Sequence, residues 1–348
     1  MYCKRLLAIG AFTLMTSSAM AQSNVQVFGL LDVMAGRREL AGKTPVNQVQ
    51  GGGLTTSFWG LRGSERLGGG LTAEFELTSF FRPDTGANGR TDADPLFTRS
   101  SWMGLRGAWG SLRLGRQSTL GFSNMLRFSA FGASSNFSPS FLHNYQSSAT
   151  QPLMTGSGAA DSAWNDVLSY LSPSVGGVTG AVFIAQADAP ATVGNRRGAN
   201  LSFTRGPLAL GATVEKISGM SLNYSIPPAV VRMQESRVWN VGASYDFKVV
   251  KVFAQAISTE LRNVATRIEI DTLNIGASVP LGAGVFLLSH GQARKHQVRV
   301  ADVTRRTTSL AYDHRLSRRT DLYAVMMHDA ATGLRSGRSF AVGMRHRF

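Results

Sequence analysis

The segment Phe340-Ala-Val-Gly-Met-Arg-His-Arg-Phe348 alternates without a break. Side chains in a strand repeat every two residues, so Phe340, Val342, Met344, His346 and Phe348 share one face. Ala341, Gly343, Arg345 and Arg347 share the other. One face is apolar and the other is small or cationic. In a water-soluble sandwich the arginines would point into an apolar core, at a cost nothing repays. In a transmembrane β-barrel the inward face is wet and the outward face meets lipid, and the same pattern is favourable.

The opposite end agrees. Lys4 and Arg5 precede an apolar stretch from Leu6 to Met15, followed by Ala19-Met20-Ala21. A basic start, an apolar run of about ten residues and a small-x-small site predict a cleaved signal peptide over 1–21. Spanning a bilayer as a helix takes roughly 20 apolar residues, so this stretch is too short for that. Cys3, the single cysteine, lies ahead of the cleavage site. An exported chain without disulfides points to the Gram-negative envelope. No later segment is apolar for long enough to form a membrane helix.

Residues 22–348 read as one domain, since no composition shift or linker divides them. Short alternating segments are separated by turn signals throughout. Leu71, Ala73, Phe75 and Leu77 oppose Thr72, Glu74, Glu76 and Thr78, while Trp239, Val241, Ala243 and Tyr245 oppose Asn240, Gly242, Ser244 and Asp246. Sixteen such segments run from 24–36 to 338–348, although 249–260 and 320–329 alternate poorly. Short turns alternate with long polar connections, as they do at the two ends of an outer-membrane barrel. The expected fold is all-β: a 16-stranded antiparallel transmembrane barrel. Residues 118–164 break the rhythm, with many serines and the aromatics Phe122, Phe128, Phe131, Phe137, Phe141 and Trp164. A connection that long and that aromatic favours burial, which an inward-folded third loop provides.

The formal charge is +15, and 30 of the 36 cationic residues are arginine. Apart from Arg294-Lys295-His296 the charges are interspersed at strand spacing, with no nucleic-acid-binding motif. A cationic pore lining or rim accounts for them better, and nucleic acid is not an expected partner. Parity places Arg62, Arg113 and Arg345 on the inward face, because arginine facing lipid near the midplane costs about 2–4 kcal/mol. Glu74 and Glu76 share that face, and Asp32 is a further candidate. Salt bridging between charged walls explains these carboxylates better than acid–base catalysis, since no nucleophile–base order or metal-ligand spacing accompanies them. No catalytic, cofactor or metal site is expected. Trp59, Trp102, Trp239, Tyr245, Tyr312 and Phe348 are candidates for the aromatic girdles.

Five stretches then resemble one family in family order, the trimeric general porins of β-proteobacteria of the Burkholderia and Bordetella type. Val25-Gln-Val-Phe-Gly-Leu-Leu-Asp32 is similar to V-T-L-Y-G-x-L-D, and Trp59-Gly-Leu-Arg-Gly-Ser-Glu-Arg-Leu-Gly-Gly-Gly-Leu71 to W-G-L-R-G-S-E-D-L-G-G-G-L. Leu114-Gly-Arg-Gln117 resembles the strand before the constriction loop. Leu316-Ser-Arg-Arg-Thr-Asp-Leu-Tyr323 resembles L-S-K-R-T-D-L-Y, and Val342-Gly-Met-Arg-His-Arg-Phe348 resembles V-G-L-R-H-K-F. Arg66 departs from the family aspartate, residues 98–105 follow G-R-Q-A-W-V-G-L only in part, and the long loop has few acids before Asp161.

The resemblance implies a homotrimeric, water-filled outer-membrane channel without a chemical step. It would be narrowed by 118–164, and the residues that parity places inward, Arg62, Arg113, Glu74, Glu76, Asp32 and Arg345, would line it; Arg62 also matches the family arginine. It also implies outer-membrane lipid and lipopolysaccharide as neighbours, with Phe348 as an assembly signal read by the outer-membrane assembly machinery. The positive excess adds an expected anion preference. A channel specific for small sugars or carboxylates, with loop aromatics as a binding track, is the alternative. An outer-membrane enzyme would need a nucleophile that no motif supplies.

Overall fold

A computed structural model describes residues 24–145, 162–187, 194–223 and 230–348. The expected signal peptide, and residues 146–161 of the long loop, lie outside these. The strands are β1 (Asn24–Arg38), β2 (Val46–Gly51), β3 (Phe58–Gly68), β4 (Leu71–Phe80), β5 (Ser100–Gly107) and β6 (Gly110–Ser118). Then follow β7 (Ala163–Leu171), β8 (Val178–Ala185), β9 (Arg196–Arg205), β10 (Leu208–Asn223), β11 (Val230–Asp246) and β12 (Lys251–Arg262). The last five are β13 (Arg267–Leu281), β14 (Gly284–Gln297), β15 (Val300–Arg315), β16 (Thr320–Ala331) and β17 (Gly337–Arg347).

From β3 onward each strand pairs antiparallel with the next, and β17 returns to β1 with Leu30 opposite Arg347 and Arg37 opposite Phe340. The sheet is therefore closed, and no edge is left with unpaired backbone. The other side of β1 is shared: its first half pairs with β3, from Asn24–Ser64 to Leu30–Phe58, and its second half with β2. β2 and β3 are thus two pieces of one barrel strand, interrupted by residues 52–57, and the barrel has sixteen strands. In the sequence, alternation is legible only over 54–64 of this strand. Val46-Asn-Gln-Val-Gln-Gly51 is too polar to advertise itself, and Gly51-Gly-Gly53 reads as a turn.

The solvent pattern is inverted relative to a water-soluble fold. Val342, Leu273 and Leu201 are each about 60% exposed, whereas Asn274, Ser289 and Thr307 have no exposed surface. Polar groups inside and a band of branched apolar side chains outside is what a lipid solvent selects. Strands β10, β11, β14 and β15 run three to six residues past the alternating stretches on the long-loop side. Backbone pairing continues there, but with no lipid to contact the period-two signal fades. At the opposite end the turns are tight. Between β3 and β4, Gly68, Gly69 and Gly70 all have positive φ (87°, 57° and 80°), a run that side chains with a Cβ avoid.

Candidate pore constriction

The loop after β6 folds into the barrel. Thr119 caps helix α1 (Leu120–Arg127) by accepting from Phe122 N at 3.2 Å, and Ser138 caps α2 (Pro139–Asn144), where Pro139 occupies the first turn. Inward polar side chains of the wall then bind the loop. Asn124 Nδ2 donates to Asn240 Oδ1 at 3.0 Å, and Asn240 Nδ2 donates to Gly121 O at 3.1 Å. Gln255 Nε2 donates to Phe128 O at 3.0 Å and Ser140 Oγ at 3.1 Å. Ser309 Oγ donates to Phe137 O at 2.6 Å, and Arg305 Nη1 to Leu142 O at 3.2 Å. These bonds satisfy loop backbone that would otherwise be buried without partners.

Apolar packing does the rest. Phe131, Phe137 and Leu142 join Met34, Leu54 and Tyr323, while Phe122 and Met125 pack with Val238 and Ile257. Glycine on the wall makes room: a Cβ at Gly211 or Gly242 would strike the Phe128 ring, and one at Gly291 would meet Pro139. Residues 52–57 turn inward to meet the same loop, with Thr56 N donating to Ala133 O at 3.3 Å and Asn136 Nδ2 to Gly52 O at 3.0 Å.

With the loop held against β9–β16 and the adjoining part of β1, the open side of the lumen is the wall formed by β3–β6. There Arg62, Glu74, Glu76 and Arg113 line one cavity of about 370 Å³, together with Gln26 and Trp102. Arg62 Nε donates to Gln26 Oε1 at 3.2 Å, and its guanidinium lies 4.7 Å from the Phe28 ring centre. Glu74 lies between Arg106 at 2.5 Å and Arg113 at 3.9 Å. Glu76 accepts from Ser100 Oγ at 2.5 Å and faces Arg99 at 3.8 Å. Arg113 stacks over Trp102 at 4.1 Å, which holds a flexible cation against a rigid ring.

Asp32 and Arg345 stand elsewhere. Asp32 is fully buried, accepting from Leu54 N at 2.9 Å, Thr55 N at 2.7 Å and Tyr323 OH at 2.5 Å. It pins the inward excursion of 52–57 to the wall. Arg345 bridges Asp313 at 2.6 Å and Asp321 at 2.9 Å and donates to Thr55 Oγ1 at 3.0 Å. Phe348 caps the seam: its N–H donates to Gly29 O and its carbonyl accepts from Gly29 N, both at 3.1 Å.

Trp102 corrects one expectation. A candidate for the aromatic girdle by sequence, it lies opposite Glu76 and faces the lumen. Its parity with Gly104 and Arg106 carried that signal. Arg99, Arg106 and Arg305 are additional inward cations that no motif singled out. Arg305 is buried against Asp329 at 2.9 Å. Among the described residues no cluster of histidine, cysteine or carboxylate side chains could hold a metal ion.

Comparison with known proteins agrees with this geometry. The description "Gram-negative porin" belongs to the family whose profile matches residues 6–333. The chain is 30% identical to outer membrane porin protein 32 of Delftia acidovorans, over 99% of both chains. It is 27% identical to an outer membrane porin of Bordetella pertussis, over 99% of this chain and 100% of that one. An anion-selective porin from Comamonas acidovorans superposes with a TM-score of 0.76 at 24% identity, covering 94% of this chain and all of that one. The trimer form of OmpT from Vibrio cholerae shares the fold at 12% identity, with a TM-score of 0.70. Closed barrel, wet interior, inward loop and these relatives together place the chain in the Gram-negative porin family, as an outer-membrane channel for passive diffusion.

Proposed function

We propose that this porin is an anion-preferring general diffusion pore with no chemical step, lined at its constriction by Arg62, Arg113, Glu74 and Glu76. One observation carries the anion preference. The open wall bears four guanidiniums, Arg62, Arg99, Arg106 and Arg113, against the two carboxylates Glu74 and Glu76. The facing loop has no acidic residue from Ser118 to Tyr145. An excess charge about 4 Å from a passing ion contributes roughly 1 kcal/mol in water, a several-fold bias per charge. The glutamates hold the arginine heads in place and keep the track from trapping anions. The homotrimer, lipopolysaccharide as a lipid neighbour, and Phe348 as the feature read by the assembly machinery belong to the same proposal. The family relationship and the Phe348–Gly29 seam support them.

The alternative, a solute-specific channel, needs loop aromatics open to the lumen. Phe128, Phe131 and Phe137 are packed against the wall instead. Zero-current potentials across a potassium chloride gradient test the selectivity, and a strong cation preference overturns it. Saturable block by one class of sugar or carboxylate would restore the specific channel.

A further inference from the structure

At the tight-turn end of the barrel, adjacent strands carry a row of charges that the constriction does not use. Arg315 on β15 lies opposite Asp321 on β16, Asp321 opposite Arg345 on β17, and Arg345 opposite Asp32 on β1. Side chains directly opposite one another share a face, and Asp321 and Asp32 are buried on the inward one. The middle of the row satisfies itself. Arg345 bridges Asp313 and Asp321, and Arg347 reaches Asp321 at 2.8 Å, so both carboxylates are engaged. The end of the row is not satisfied in this way. Arg315, and Arg318 on the following turn, are exposed and make no ion pair among the described residues.

Arg315, Ser317, Arg318 and Arg347 line one cavity of about 620 Å³, together with Arg345 and its two aspartates. Four guanidiniums against two carboxylates leave a surplus of +2 there. Ser317 adds a donor. Its Oγ accepts from Arg319 N at 3.1 Å and Thr320 N at 3.0 Å, which turns its own proton away from both and leaves it for the cavity. This cavity is separate from the one at the constriction. Arg347 stands opposite Leu30 and Arg62 opposite Gln26, on the two sides of β1 and four residues apart along it. At about 3.4 Å per residue that is about 13 Å of strand, beyond a Debye length of about 8 Å at physiological salt.

We propose that Arg315, Arg318, Arg347 and Ser317 form a second anion site, at the periplasmic mouth, that takes the phosphate dianion of a small solute. Porin turns are short on that side. Guanidiniums hold phosphate by paired charge-assisted hydrogen bonds, and the hydroxyl adds a fourth donor suited to a tetrahedral ligand more than to a planar carboxylate. The surplus of +2 matches a dianion. The buried bridge orders the site in advance, because Arg345 fixes Asp321 and Asp321 holds Arg347. A phosphorylated solute that has crossed the constriction is thus retained at the exit by arginines other than those of the open wall. The site goes beyond the anion preference proposed above and does not depend on it.

Phosphorus-31 line broadening of inorganic phosphate, titrated against the porin in detergent micelles, tests this. Broadening should saturate with the native protein, and acetate at the same concentration should not displace the phosphate. Arg315→Gln/Arg318→Gln should raise the half-saturating concentration at least about tenfold. Arg318→Gln alone, at an exposed turn position, should raise it severalfold. Lys248→Gln/Lys251→Gln removes the same charge from another cavity at this end and should keep the native midpoint. Heat-modifiable migration on gels verifies that each variant is folded. Broadening that does not saturate, or that survives the arginine double variant, overturns the site. Equal weakening by both double variants would mean diffuse charge and no site. Displacement by acetate would overturn the assignment to phosphate.

Discussion

Phe128 packs directly on the bare backbone of Gly242, so closely that a Cβ at that position would overlap its ring. Gly211 on the next strand makes the same allowance. Two glycines on the barrel wall therefore determine how far into the lumen the loop protrudes.

Gly242→Val should push Phe128 and helix α1 off the wall. Forcing extra volume into such a contact costs about 1–3 kcal/mol, which the loop can relieve by moving and the barrel cannot. Single-channel conductance should change, and residues 120–128 should become more accessible to protease, while heat-modifiable migration of the barrel persists. Unchanged loop protection would show that the glycine contact does not position the loop.

Reversing two charges on the open wall should reverse selectivity. Arg62→Glu/Arg113→Glu converts four cations and two anions into two cations and four anions. The zero-current potential in a salt gradient should change sign. Trp102→Ala keeps every charge but removes the ring under Arg113, so it should weaken anion preference without reversing it.

Acid should loosen the loop through His143. Its Nε2 meets Thr307 Oγ1 at 2.8 Å, and Thr307 donates its own proton to Asp329 at 2.7 Å, so the ring is neutral with its proton on Nε2. Complete burial, and then the nearby Arg305 and His290, push its pKa down to about 3, against the opposing pull of Asp329. A released loop would protonate His143 near pH 6.5, and the seated loop only near 3. Protons therefore favour release. The seat is at full strength above 6.5 and weakens progressively as pH falls from there toward 3. Protease sensitivity of the loop should rise on acidification in the native protein, and His143→Gln should flatten that profile. Equal profiles would exclude His143 as the source.

Deleting Phe348 removes two backbone hydrogen bonds at the barrel seam and the ring that covers Gly29. Outer-membrane levels of heat-resistant trimer should fall severalfold, with Phe348→Tyr close to normal. Normal trimer after the deletion would leave the terminal aromatic without an assembly role.

The barrel was legible because lipid outside and water inside impose opposite demands on alternate residues. Leu71–Thr78 and Trp239–Asp246 state that demand plainly. Gln255 carries no legible signal as a loop-binding residue because its strand alternates poorly: Ile257, on the same inward face, is apolar and packs with Phe122 and Met125 of the loop rather than meeting water. β2 was missed for the complementary reason, having little lipid to face.

Within the site, parity alone put Arg62, Glu74, Glu76 and Arg113 on the inward face, and the fold gathers them around one cavity. Parity could not separate these from Asp32, which shares the inward face but accepts hydrogen bonds from residues 54 and 55. That difference depends on what else enters the lumen. Sequence alone determined sidedness, strand count and family, because each follows from a local period of two and from short motifs. Only the tertiary structure decided which inward groups meet water. The loop and the 52–57 excursion are long-range contacts that cover one wall and leave the other open.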